Sequence, residues 1–117
     1  MTVRGIGVDL VDVDRFAATL ERNARLGPAL FGAAERAGPA RTLAGRFAAK
    51  EALAKALGSP GGMRWHDCEV STLPSGQPTF TLRGTVKETA TRLGIQTVHL
   101  SISHDGGFAI AMVVAEG

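Results

Sequence analysis

Cysteine and the larger aromatics are scarce in this 117-residue chain, which has one Cys, one Trp and no Tyr. A lone cysteine, Cys68, excludes an internal disulfide framework and a multi-cysteine zinc site. Five Phe and one Trp make no row of rings for stacking bases. No apolar run approaches the roughly 18 residues that a membrane span needs. The start, Met1-Thr2-Val3-Arg4-Gly5, lacks the apolar stretch and small-residue cleavage site of a secretory signal. Neither sign of charge dominates: 13 basic residues face 11 acidic ones, a net charge of +2 that is too small to argue for nucleic acid. These absences predict a cytoplasmic protein with no membrane and no nucleic-acid partner.

What remains is an ordinary globular composition, 44% apolar and 21% charged, with room for one domain over residues 1–117. Ten of the 13 basic residues are Arg, a side chain suited to forked contacts with phosphate or carboxylate. Gly5 to Val11 reads as a buried strand. Asp12 can cap a helix running to about Arg25 and ended by Gly27-Pro28. A looser segment, Ala33 to Thr42, leads to a second helix, Leu43 to Leu57, which stops at Gly58. Trp65 to Leu73 and Pro78 to Leu82 read as strands joined by Pro74-Ser75-Gly76-Gln77. Thr85 and Glu88 have capping-box spacing for a short helix to Leu93. Thr97 to Ser103 and Phe108 to Ala115 form a final hairpin around Asp105-Gly106-Gly107. Helices early and strands late predict an α+β fold with antiparallel strands and helices packed on one side.

Along the first strand, Ile6, Val8 and Leu10 share one face and Gly5, Gly7 and Asp9 the other. The glycines leave space beside a carboxylate. Either they let a helix pack closely while Asp9 meets an Arg, or Asp9 holds a metal. In the second helix, Phe47, Leu53, Ala54 and Leu57 form an apolar arc at about 100° per residue, and Ala48, Ala49, Ala52 and Ala56 a flat face. Glu51 and Lys55 occupy a narrow polar wedge, while Arg46 and Lys50 fall inside the apolar arc. Charges there need partners; the plain alternative is a pair of exposed helix-surface salt bridges.

In the final hairpin, Val98, Leu100 and Ile102 point one way and His99, Ser101 and Ser103 the other. His104 stands at the strand end, either as a phosphate contact or as a satisfied structural histidine. The first helix sets Val13, Phe16, Ala17, Leu20 and Ala24 against a nearly opposite side carrying Arg15, Arg22 and Arg25, with Leu26 beside them. That basic side is either a solvated face or a dock for an acidic helix with Leu26 as apolar anchor. His66 and Cys68 on one short strand make no nucleophilic triad.

Gly5-Ile6-Gly7-Val8-Asp9 with Arg15, Arg46-Phe47-Ala48-Ala49-Lys50-Glu51-Ala52 with Lys55, Trp65-His66-Asp67-Cys68-Glu69-Val70, and Ser101-Ile102-Ser103-His104 occur in that order. The set resembles the holo-[acyl-carrier-protein] synthase family, the short trimeric 4′-phosphopantetheinyl transferases, over nearly the whole chain and with both termini where that family's lie. The resemblance implies a homotrimer with active sites between subunits. It implies transfer of the phosphopantetheine arm of coenzyme A to a serine of apo acyl carrier protein, releasing 3′,5′-ADP, in fatty-acid or polyketide synthesis. It also implies Mg²⁺ bound by Asp9 and Glu51. Lys55 and Lys50 would neutralise phosphate charge, and Arg46, Gly58 and His104 would contact the coenzyme A nucleotide. Arg15, Arg22, Arg25 and Leu26 would receive the carrier protein. Glu51, directly or through a metal-bound water, is the expected base, with Glu35 as second candidate.

Two departures stand out. Asp12 replaces the family's usual Glu, and the loop between Glu35 and Arg46 is short, leaving Arg36 or Arg41 to supply its basic groups. Two rival functions keep some of these features: a non-enzymatic regulator that binds nucleotide or carrier, and a Mg²⁺-dependent hydrolase of nucleotide diphosphates.

Overall fold

The computed structural model describes residues 1–117. Strand β1 (Val3–Asp12) leads into helices α1 (Val13–Arg22), α2 (Leu26–Leu30) and α3 (Ala40–Ala56). A 3-10 turn (Trp65–Asp67) precedes β2 (Cys68–Thr72) and β3 (Pro78–Leu82), then α4 (Gly84–Arg92), β4 (Thr97–Asp105) and β5 (Phe108–Glu116). The strands form an antiparallel three-stranded sheet in the order β1-β5-β4 and a separate β2-β3 pair. The expected α+β arrangement of antiparallel strands with helices is therefore observed. No helix is long and apolar enough to cross a membrane.

The register explains why α3 sits where it does. Gly5 pairs with Ala115, Gly7 with Val113 and Asp9 with Ala111, so glycine and small residues line the inner face of the sheet. Ala44, Ala48, Ala49, Ala52 and Ala56 of α3 are buried against it. A Cβ on Gly5 or Gly7 would overlap the carbonyl oxygens of Ala56 and Ala52. Side-chain-free backbone is thus what lets strand and helix approach. The flat alanine face therefore finds its partner inside the chain, and no neighbouring subunit is required to cover it. On the other side of α3, Phe47 stacks on Phe16 of α1, and Phe16 meets Phe31 edge to face. Apolar contact on two sides makes α3 the central helix of the fold, with Glu51 and Lys55 left at its open edge.

Helix ends follow local chemistry, with some departures from expectation. Asp12 caps α1 by accepting from the Arg15 N–H at 3.0 Å. That helix stops at Arg22, short of Arg25, and a new turn, α2, runs through Gly27-Pro28. Proline fits there because the first turn of a helix has no use for its missing N–H. Helix α3 ends in a Schellman arrangement: Gly58 N–H donates to Lys55 O and Ser59 N–H to Ala54 O, with Gly58 at φ +81°. The capping box expected from Thr85 and Glu88 is not formed. The N-cap of α4 is Arg83, and the Thr85 N–H and hydroxyl both donate to the Asp67 carboxylate. Residues 65–67 are a 3-10 turn, so the strand begins only at Cys68.

The outer face of the large sheet is apolar and uncovered. Ile6, Val8 and Leu10 of β1 are 52–60% exposed, beside Phe108, Ile110 and Met112 of β5. His99, Ser101 and Ser103 of β4 continue the same face as a polar row.

Candidate functional site

The close approach of β1 to α3 decides the site. Asp9 is the next inner-face residue after Gly7, whose Cα runs against the Ala52 carbonyl, so its carboxylate arrives beside the last turns of α3. Lys55 donates from there to the Val8 carbonyl at 2.9 Å and the Asp9 carboxylate at 3.3 Å. Lys55 thus pairs with Asp9, and the helix-surface bridge to Glu51 does not form. Asp9 and Glu51 line one cavity of about 550 Å³. The Glu51 carboxyl is held above the ordinary range, first by burial and then by the negative charge of Asp9, with Lys55 partly opposing both.

Asp9 stands close enough to raise the proton affinity of Glu51, and a pair of carboxylates so placed gains from a cation. No third His, Cys, Asp or Glu is placed to share a metal ion with them. That donor set suits a hard divalent ion such as Mg²⁺, which keeps waters and takes phosphate oxygens in its remaining positions. It does not suit a metal needing a full protein cage.

The rest of this cavity is mostly apolar. Phe16, Leu26, Leu30, Phe47 and Trp65 form its walls, and Asp12, Arg15 and Thr19 stand with the two carboxylates as its polar groups. Arg15 and Leu26, expected to receive a partner, are therefore brought to the same cavity as the two acids. Arg22 and Arg25 are exposed and lie outside it. Sequence reasoning missed Trp65 as a wall. Its being the only tryptophan of the chain, beside a run of polar residues, was the available signal.

The remaining residues separate into other places. Lys55 and Gly58 line an open cavity of about 490 Å³ with Arg4 and Ile6. Arg46 and His104 share a smaller one of about 260 Å³ with Thr42 and Ile102. None of these lining residues is Asp9 or Glu51. The Arg46 guanidinium donates to the carbonyls of Glu35 and Ala37, and the His104 ring Nε2 is 2.9 Å from the Arg41 carbonyl. Arg36 and Arg41 are both exposed.

Lys50 departs from the expectation that it neutralises phosphate. It is fully buried, and its ammonium donates to Leu30 O, Glu35 Oε1 and Trp65 O at 2.8–2.9 Å. All three of its donors are used inside the protein. Glu35 likewise departs from the role of second candidate base. It is 1% exposed and accepts from Lys50, the Gly32 N–H and the Val70 N–H. A carboxylate so enclosed cannot meet an incoming hydroxyl. Helical periodicity had put Lys50 in the apolar arc; its partner, 15 residues away in a loop, carried no such signal.

A family profile described as the 4′-phosphopantetheinyl transferase superfamily matches residues 5–113. The chain is 59% identical over 118 residues to the holo-[acyl-carrier-protein] synthase of Frankia alni, covering 99% of each. Among solved structures it resembles the holo-[acyl-carrier-protein] synthase of Neisseria meningitidis, at TM-score 0.90 and 29% identity, covering 99% of this chain and 100% of that one. It also resembles the Helicobacter pylori enzyme in complex with coenzyme A, at TM-score 0.84 and 34% identity, covering 95% and 99%.

Proposed function

This chain belongs to the 4′-phosphopantetheinyl transferase superfamily, and from that premise we propose how its residues work. It transfers the 4′-phosphopantetheine group of coenzyme A to a serine of apo acyl carrier protein, leaving 3′,5′-ADP. The observation that carries the mechanism is the pairing of Asp9 and Glu51 in one cavity, with Lys55 on the Asp9 carboxylate.

In this reading Asp9 and Glu51 hold Mg²⁺, which when bound offsets the charge of the coenzyme A diphosphate. Lys55, half exposed beside Asp9, donates to a diphosphate oxygen and stabilises the charge that develops there. The carrier serine oxygen attacks the phosphorus bearing pantetheine. A serine-oxygen-to-phosphorus bond forms, the diphosphate bond breaks, and its bridging oxygen leaves with 3′,5′-ADP. Glu51 accepts the serine proton. Gly58 sits beside Lys55 at the positive-φ end of α3, where backbone can approach the diphosphate closely. Arg15 and Leu26 at the cavity mouth, with the exposed Arg22 and Arg25 beyond, receive the acidic carrier.

Arg46 and His104 line a different cavity from Asp9 and Glu51. That separation supports a homotrimer in which the nucleotide end of coenzyme A meets Arg46 and His104 of an adjacent subunit. The uncovered apolar face of β1 and β5 supports the same assembly. A single buried, unpaired cysteine and the lack of a spanning helix fit a cytoplasmic enzyme.

Incubation with apo carrier protein, coenzyme A and Mg²⁺ tests this reading by intact mass. The carrier gains one phosphopantetheine group with the wild-type chain and none with Glu51→Gln. Cleavage of coenzyme A without carrier modification would make the chain a hydrolase, and no turnover at all would make it a binding protein.

A further inference from the structure

We propose that Lys50 and Glu35 are positioning residues for the transfer, setting the two walls that face Glu51. The inference rests on the reading of the Asp9–Glu51 cavity as the transfer site. Lys50 and Glu51 are consecutive residues of α3, yet their side chains go to opposite environments. Glu51 lines the cavity, while Lys50 is enclosed with its ammonium 5.4 Å from the Phe31 ring centroid.

The Lys50 ammonium joins three separate segments to α3. One donor goes to the carbonyl of Leu30, the last residue of α2, and one to the carbonyl of Trp65 in the 3-10 turn. The third goes to Glu35. Leu30 and Trp65 are both walls of the carboxylate cavity. Glu35 fixes the ammonium in turn, because its other contacts are to the backbone at Gly32 and at Val70 of β2. No buried side-chain nitrogen or oxygen is left without a partner, so the network is closed.

A buried ion pair contributes little net stability compared with apolar residues of the same volume, because desolvation offsets the attraction. Its specific effect is geometric: tetrahedral donors aimed at two carbonyls fix where those carbonyls lie. An apolar side chain of the same length fills the same volume and leaves Leu30 and Trp65 untied.

The test uses the double variant Lys50→Met with Glu35→Gln, which removes both charges together and leaves no unpaired buried ion. With the fold retained by circular dichroism, we expect kcat to fall by about tenfold or more. The KM for coenzyme A should rise by a smaller factor than kcat falls, because Lys55 keeps its own contact to Asp9 and only the Leu30 and Trp65 walls are released. Trp65, the sole tryptophan, reports the wall directly: its emission should shift to the red and its anisotropy fall. Glu35→Asp, which keeps both charges and shortens only the reach, gives the same readout more weakly if the double variant does not fold.

A folded variant with wild-type kcat overturns the proposal. So does loss of kcat with unchanged Trp65 emission and anisotropy. A wild-type chain that transfers no phosphopantetheine overturns the reading of the site, and the Trp65 signal still reports separately whether Lys50 holds the wall.

Discussion

Lys55 Nζ stands 3.3 Å from Asp9 Oδ1, an ion pair that joins α3 to β1 across 46 residues of sequence. Half of the Lys55 side chain is exposed, so the pair adds little to stability. Its consequence is chemical. It leaves a half-exposed ammonium beside the Asp9 carboxylate, which itself lines a cavity with Glu51.

The approach that creates this pair depends on Gly7. A methyl group there would overlap the Ala52 carbonyl, and backbone cannot yield as a flexible side chain can. Gly7→Ala should destabilise the protein by about 3 kcal/mol or more, measured by urea unfolding. Any folded fraction should transfer poorly, because Asp9 is pushed from α3.

Arg15 is exposed at the cavity mouth and makes no salt bridge. Arg15→Glu should therefore leave the melting temperature near wild type while raising the KM for carrier protein by about tenfold or more. Affinity for coenzyme A, read by calorimetry, should hardly change. Equal loss of both affinities contradicts the assignment of Arg15 to the carrier.

Val8 and Met112 are paired in register on the uncovered face of the sheet. A trimer that buries this face should be broken by Val8→Asp, which would place an unpaired charge in an apolar interface. Light scattering should report a trimer for wild type and a smaller species for the variant. A monomeric wild type removes the intersubunit site.

Much of the carboxylate site was legible in the chain. Period-two alternation put Gly5, Gly7 and Asp9 on one face, and helical periodicity left Glu51 and Lys55 in one polar wedge; both patterns survive folding because they are local. The flat alanine face was legible too, but not its partner, since strand-to-helix distance depends on tertiary packing. Lys50 was recognisable as a charge at an apolar position. Its role was not, because Leu30, Glu35 and Trp65 come from three places without periodicity. Gly27-Pro28 read as a stop, yet proline at the first turn of a helix is a permitted start. Thr85 had a capping pattern with Glu88, but Asp67, 18 residues earlier, offers both of its donors a stronger acceptor.

Burial holds the Cys68 thiol protonated, pushed up to about 11. Between the ordinary thiol value and that value the folded state keeps a proton that the unfolded chain has lost. Stability attributable to the thiol is therefore complete below the ordinary value and falls as pH rises toward 11. Denaturation should show a decline on the order of 2 kcal/mol across that window. Cys68→Ala should remove this part of the slope while lowering stability at neutral pH.

The sharing of one divalent cation between Asp9 and Glu51 is tested most directly by titrating Mn²⁺ into the protein with coenzyme A present and reading free Mn²⁺ by electron paramagnetic resonance. The account predicts one tight site per active site in the wild type, weakened by about tenfold or more in both Asp9→Asn and Glu51→Gln. Wild-type affinity in either folded variant would contradict it.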